Sequence, residues 1–176
     1  MAKCPELCLG IFTQPTKAEV EKGQPQKRKL IAHIVATRTA APAVTDASMD
    51  YPRDWKSNNK PSTPLGHEET GDTICIHSIA VRKDCQKLGI GSVLLKSYIQ
   101  RLRDAKVADR LALLAHDNTK KFYARFGFDD MGPSAVTSAG GNWSNMVSRN
   151  AKLVPPDPAN VHRFLISLIS LRTSPD

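Results

Sequence analysis

The stretch that decides the fold is Thr73-Ile-Cys-Ile-His-Ser-Ile-Ala-Val81, followed after a short loop by Gln86-Lys87-Leu88-Gly89-Ile90-Gly91-Ser92. The first part is apolar on both faces, which predicts a strand in the centre of a sheet. After the glycines, apolar side chains recur every three to four residues to about Lys106, which predicts an amphipathic helix. A strand, a glycine-rich turn and a helix therefore follow one another here.

Weaker patterns on either side extend this unit to a mixed α/β domain. Further strands are predicted at Leu7–Thr13, Leu30–Thr37, Leu111–Ala115 and Trp143–Ser148, and further helices at Asn118–Phe126 and 157–172. Residues 39–71 are rich in proline and polar side chains, which predicts a long irregular loop. We expect one domain over 4–149 and a C-terminal extension over 150–176 that carries the appended helix.

Composition narrows the class of partner. The chain has 176 residues and a net charge of +8, from 25 Lys and Arg against 17 Asp and Glu, which favours an anionic ligand. Aromatic residues make up 6% and no basic stripe is visible, so we expect no nucleic-acid partner. No apolar run is long enough for a membrane span, so we expect no membrane partner either.

The cysteines indicate neither a metal nor a disulfide framework. Cys4, Cys8, Cys75 and Cys85 show no Cys-x-x-Cys spacing. The first residues lack the apolar core of a secretory signal. These observations predict a cytoplasmic protein with reduced thiols and no metal site.

The turn between strand and helix is a candidate anion site. Helix N-termini offer backbone N–H groups and a partial positive charge to phosphates, and glycines allow close approach. Arg82, Lys83 and Lys87 add positive charge. The motif is neither a P-loop nor a complete Gly-x-Gly-x-x-Gly. Taken alone, it is equally compatible with a tight turn that binds nothing.

In its context, the motif resembles a known cofactor loop. Gln-x-x-Gly-x-Gly after Ile79-Ala80-Val81 is similar to the acetyl-CoA loop of the GNAT superfamily of N-acetyltransferases, and Phe122–Phe128 resembles that superfamily's later helix and strand. Further segments resemble arylalkylamine (serotonin) N-acetyltransferases: Cys4-Pro-Glu-Leu-Cys-Leu-Gly10, His77–Val81, Gly91–Leu95 and Met131-Gly-Pro133. The resemblance covers most of 4–149, without the long loop and the tail.

This resemblance implies a fold and a reaction. The fold is a mixed, mostly antiparallel GNAT-type sheet flanked by helices, N-terminally shortened because the family's first strand and two helices precede the segment matched at Cys4. The reaction is direct transfer of acetyl from acetyl-CoA, a cosubstrate, to the primary amine of an arylalkylamine or polyamine. The backbone of Ile79, Ala80 and Val81 would pair with pantetheine. The pyrophosphate would bind at Lys87, Leu88, Gly89, Ile90, Gly91 and Ser92.

The resemblance also implies the catalytic residues. The family relays the amine proton through two histidines spaced i, i+2 on the central strand, and this chain has Cys75 and His77 there. His77 is the predicted base or relay, with His116 or Asp117 as alternatives for the missing histidine. Strand alternation predicts that residues 75, 77, 79 and 81 share one face. Tyr123 matches the tyrosine that protonates the CoA thiolate, and Ile79 and Leu114 would line an apolar amine pocket.

Two other functions are compatible with the sequence. One is a protein or peptide N-acetyltransferase with an open cleft on the same scaffold. The other is a catalytically impaired CoA-binding domain, which the cysteine at position 75 favours. The sequence leaves the identity of the amine and the oligomeric state open.

Overall fold

The computed structural model describes residues 5–15, 20–22, 28–53 and 65–149. Within them, the strands are β1 (Leu9–Phe12), β2 (Leu30–Thr39), β3 (Thr73–Val81), β4 (Arg110–Ala115), β5 (Asp129–Pro133) and β6 (Ser144–Arg149). The α-helices are α1 (Asp46–Met49), α2 (Ile90–Ala105) and α3 (Asp117–Ala124), and 3₁₀ turns occupy Pro5–Leu7, Lys83–Cys85 and Ser138–Gly140. The predicted helix at 157–172 and the extension 150–176 lie outside the described residues.

The six strands form one sheet in the order β1-β2-β3-β4-β6-β5. All neighbours are antiparallel except β3 and β4, which are parallel and are connected through α2. The central position predicted for β3 is confirmed, and so is the mixed, mostly antiparallel fold. No helix in the described part of the chain is both long and apolar enough to cross a bilayer.

The first face of the sheet carries the larger core. Ile74 and Ile76 of β3 and Leu111 of β4 are buried here under the apolar side of α2. Tyr98 of α2 is fully buried, and its hydroxyl donates a hydrogen bond of 2.8 Å to the carbonyl of Leu7. Burial raises the pKa of Tyr98 well above its ordinary value. This bond ties the turn that precedes β1 to the central helix.

The second face carries a smaller core under the segment that follows β2. Cys75 of β3 and Ala112 of β4 are buried with Val44 and Val136. The carboxylate of Asp46, in the first turn of α1, accepts a hydrogen bond of 2.9 Å from the Ser138 hydroxyl. The second-face core and this hydrogen bond together hold α1 against the sheet.

The structure differs from the sequence expectations in three places. β1 begins at Leu9 rather than Leu7, because Leu7 lies in the 3₁₀ turn held by Tyr98. The stretch 39–71 is not uniformly irregular, since it contains α1, whose cap is a reciprocal bond pair between Thr45 and Ser48. β5 was not among the strands predicted from periodicity, because its residues are mostly exposed and lack apolar alternation.

Candidate active site

The loop between β3 and α2 is held in a defined shape by its own hydrogen bonds. The Arg82 amide donates to the Ile31 carbonyl at 2.8 Å, and the side-chain amide of Gln86 donates to the Val81 carbonyl at 3.0 Å. Lys87 and Gly89 both adopt left-handed backbone angles, with φ of 62° and 77°. A glycine adopts this conformation without steric cost, which explains Gly89 as the residue that caps α2.

A cavity of about 230 Å³ opens where this loop meets the helix. Its lining residues are Val81, Cys85, Gln86, Lys87, Gly89, Ile90, Gly91, Ser92 and Phe122. The Ser92 amide donates to the Gly89 carbonyl at 3.0 Å, whereas the amides that precede it at the start of α2 have no acceptor within the helix and are available to a ligand. A Cβ atom added to Gly91 would stand 3.6 Å from Val81 Cγ2 and 3.9 Å from Phe122 Cζ. The absence of a side chain at Gly91 therefore keeps the cavity open, and the site fits an anion such as a phosphate.

The charges around the cavity differ from the sequence expectation in one respect. Arg82 is paired with Asp84, with 2.6 Å between Nε and a carboxylate oxygen. This contact lowers the pKa of Asp84 and raises that of Arg82. Because the pair offsets the charge of Arg82, the net positive charge of the loop comes from Lys83 and Lys87.

The central strands separate beside this cavity. The parallel pairing of β3 with β4 runs from Thr73 to Ile76 on β3 and ends at Leu113 on β4, although β3 continues to Val81. Beyond Ile76, β3 still pairs with β2 on its other edge. Alternate N–H and C=O groups of the last residues of β3 therefore face the gap toward β4. An extended ligand can therefore form hydrogen bonds with this edge in the way that a neighbouring strand would.

His77 lies where the strands begin to separate. Ala36 of β2 pairs with Ile76 and Val35 pairs with Ser78, so His77 has no partner in the register and forms a bulge. Its Nε2 lies 2.7 Å from the hydroxyl oxygen of Thr37 on β2. Burial lowers the pKa of His77, so the ring is neutral at pH 7. A neutral imidazole in this position can accept a proton.

Residues 57–149 match the family model described as acetyltransferase (GNAT) domain. The chain belongs to the GNAT acetyltransferase family. It is 31% identical over 134 residues to serotonin N-acetyltransferase of Mesocricetus auratus, covering 76% of this chain and 51% of that protein. It is 34% identical over 71 residues to serotonin N-acetyltransferase of Homo sapiens, covering 40% of this chain and 34% of that protein.

A solved structure shows the same fold. The GphF GNAT-like decarboxylase in complex with isobutyryl-CoA superposes with a TM-score of 0.55 at 13% identity, over 85% of this chain and 80% of that chain. At this identity the likeness shows the fold alone. The chain spans about half the length of the Mesocricetus auratus protein and about a third of that of Homo sapiens.

The bulge corrects one expectation about this GNAT domain. Strict alternation predicted residues 75, 77, 79 and 81 on one face, but Cys75 belongs to the second-face core, whereas Ile79 and Val81 pack against the first-face core. The extra residue at His77 shifts the phase of β3 by one position. Odd-numbered side chains before the bulge therefore face the second side of the sheet, and odd-numbered side chains after it face the first.

Cys75 occupies a closed position. It is fully buried, and its sulfur lies 3.6 Å from the Ser48 hydroxyl of α1. Burial raises the pKa of its thiol to about 11. A thiol that stays protonated in a packed core cannot relay a proton at neutral pH.

Tyr123 of α3 lies beside the cavity without lining it. Its ring is half-buried and makes an edge contact with Phe122, with 5.2 Å between the ring centroids. Burial raises the pKa of Tyr123, so its hydroxyl stays protonated at neutral pH. The role of proton donor to a thiolate stays a prediction.

The predicted amine-pocket residues lie on different sides of the sheet. Ile79 packs against the first-face core and Leu114 against the second. A pocket lined by both would need the gap between β3 and β4 to join the two faces. Their shared role stays a prediction.

The alternatives to the missing histidine lie at the end of β4. His116 is exposed and its ring stacks on Trp143 with 3.8 Å between centroids. Asp117 forms an ion pair of 2.7 Å with Lys120. Over the described ranges, no three His, Cys, Asp or Glu side chains form a group that could hold a metal.

Three cavity residues lie outside the predicted cofactor-binding set: Cys85, Gln86 and Phe122. In the sequence, Gln86 opens the glycine motif, Phe122 belongs to the motif around Tyr123, and Cys85 stands out only by its spacing to the other cysteines. The signal for Phe122 was its position one residue before Tyr123, but only the packing of α3 against the loop shows that it faces the cavity.

Proposed function

We propose that the protein transfers an acetyl group from acetyl-CoA to the primary amine of a small arylalkylamine or polyamine. The observation that carries this proposal is the cavity between the end of β3 and the first turn of α2, kept open by Gly91. Pyrophosphate would bind to the amides of residues 87–92, and pantetheine would bind along the backbone of Ile79, Ala80 and Val81. The GNAT-like decarboxylase structure, which contains isobutyryl-CoA, supports an acyl-CoA ligand.

The proposed step is a direct acyl transfer. An alkylammonium with a pKa near ~10.4 must first lose a proton, which His77 accepts. The amine nitrogen then forms a bond to the thioester carbonyl carbon, and the bond from that carbon to sulfur breaks. The CoA thiolate, with an ordinary thiol pKa of ~8.5, takes a proton from Tyr123, and the second proton that the nitrogen loses as the amide forms returns the Tyr123 phenolate to its neutral form. The likeness to serotonin N-acetyltransferases supports an arylalkylamine as the acceptor.

A second candidate is a CoA-binding domain with impaired catalysis. The specific observation is Cys75, which is buried with a pKa of about 11 at the position of the family's first relay histidine. In this case the cavity would bind CoA but the amine proton would have no complete path.

A thiol-release assay on the full chain tests both candidates. Acetyl-CoA is offered with tryptamine, phenethylamine, spermidine or a lysine-containing peptide, and CoA binding is measured in parallel by calorimetry. Turnover of an arylalkylamine or spermidine supports the proposal. Turnover of the peptide alone overturns the small-amine assignment in favour of a peptide acetyltransferase. CoA binding without turnover supports the impaired domain, and no CoA binding overturns both.

A further inference from the structure

The contact between Thr37 and His77 bridges two strands at the point where their register slips. Thr37 pairs by Cα with Cys75, two residues before His77 on β3. Thr37 and His77 are therefore diagonal neighbours across the strand pair, which is within reach of a ring side chain. The His77 ring points back along the strand pair toward Thr37, and its Nε2 lies 2.7 Å from Thr37 Oγ1.

The surroundings of His77 leave Thr37 as the group that orients it. Burial is the cause of the lowered pKa, and no charged side chain within 5–15, 20–22, 28–53 or 65–149 contributes to it. The other titratable groups on adjacent elements have partners elsewhere: His33 of β2 contacts the Ser78 hydroxyl at 3.4 Å, and Glu68 accepts from the Thr39 hydroxyl at 2.8 Å. Cys75, two residues earlier, is neutral and packed.

We propose that Thr37 is a positioning residue that accepts a hydrogen bond from Nε2–H of His77 and so makes Nδ1 the nitrogen that takes the amine proton. The Thr37 hydroxyl can donate or accept, but if it donated to Nε2 the ring would carry its proton on Nδ1 and have no free lone pair, whereas acceptance from Nε2–H leaves the lone pair of Nδ1 free for a proton. When the ammonium loses its proton, the N–H bond of the amine breaks and its electron pair stays on nitrogen. The proton binds to Nδ1, while Nε2–H remains bound to Thr37. This assignment rests on the proposed function for its catalytic part.

Two variants of the full chain separate a positioning role from a structural one. Thr37→Val keeps the branched shape and removes the hydroxyl, whereas Thr37→Ser keeps the hydroxyl. Loss of one hydrogen bond to the imidazolium should lower kcat at pH 7 by about two- to tenfold and leave KM for acetyl-CoA unchanged. The deficit should shrink near pH 9, and Thr37→Ser should restore the rate. Thr13→Val, at an exposed hydroxyl that accepts from the Lys29 amide, is the matched control.

Nuclear magnetic resonance of the imidazole nitrogens gives a readout that needs no turnover. The parent should show the Nε2–H tautomer at His77, and Thr37→Val should lower the pKa of that ring while Thr37→Ser does not. An Nδ1–H tautomer in the parent, or a ring unaffected by Thr37→Val, would overturn the proposal. If no amine is acetylated, the proposed function fails, and the tautomer and pKa still decide whether Thr37 holds His77.

Discussion

Replacement of Gly91 by alanine should make the protein more stable and less able to bind CoA. The added methyl group would stand 3.6 Å from Val81 and 3.9 Å from Phe122, which are ordinary contact distances. Both neighbours line the cavity, so the methyl would occupy cavity space next to the first amides of α2. If the fold accepts the methyl group but the ligand does not, stability and CoA affinity should change in opposite directions.

The magnitudes follow from helix propensity and hydrogen bonding. Glycine within a helix costs about 0.5–1 kcal/mol relative to alanine, which corresponds to a rise in Tm of about 1–4 °C for a chain of this size. Loss of one hydrogen bond from a backbone amide to a charged phosphate costs about 1.5–3 kcal/mol. At 1.4 kcal/mol per tenfold, we expect CoA affinity to fall about 10- to 100-fold.

The assay pairs differential scanning calorimetry with isothermal titration of CoA on the parent and two variants. Ser97→Ala is the matched control, because Ser97 is an exposed residue of the same helix and does not line the cavity. It should raise Tm slightly and leave CoA affinity unchanged. A Gly91→Ala variant that binds CoA as tightly as the parent would refute the placement of the phosphates. A variant with a lower Tm would refute the argument from space.

Three further outcomes are expected. His77→Ala should lower turnover at pH 7 and lose less near pH 9, where more amine is already deprotonated; equal pH–rate profiles for variant and parent would make His77 structural. Burial lowers the pKa values of His67 and His77 on folding, so the unfolded chain binds more protons than the folded chain below about pH 6.5. The free energy of unfolding, measured by urea denaturation, should therefore fall as the pH drops through that range. His77→Gln should make this dependence on pH less steep. Cys75→His, which would restore the family's histidine, should destabilise by about 1–3 kcal/mol because the site is packed; a calorimetric Tm equal to the parent's would contradict this.

The sequence predicts the elements whose side chains repeat with a clear period. β3 and α2 occur where apolar alternation and helical spacing place them, and the glycines mark the turn between them. These patterns are local, so a single strand or helix carries them.

The bulge at His77 and the cover over Cys75 depend on partners distant in sequence. The register shift arises only when β2 pairs with β3, which strict alternation within β3 does not reveal. The helix α1 forms in a stretch whose apolar residues do not recur at helical spacing. The hydrogen bond from Ser138 to Asp46 of this helix joins residues far apart in the chain. The separation of β3 from β4 likewise depends on where parallel pairing ends rather than on either strand's composition.

The extra residue at His77 divides β3 into two segments, in which odd-numbered side chains face opposite sides of the sheet. Before His77, β3 pairs with both β2 and β4, and its side chains are buried in both cores. After His77, β3 no longer pairs with β4, and its free edge lies beside the cavity. Deletion of this one residue would remove the bulge and leave regular alternation through β3, so that Ile79 and Val81 would stay opposite Ile34 and Ala32 on the first face and the edge would lose its imidazole. The two segments of β3 are therefore separable for engineering: substitutions after the bulge can reshape the binding edge, and removal of the bulge would not exchange core residues for polar ones.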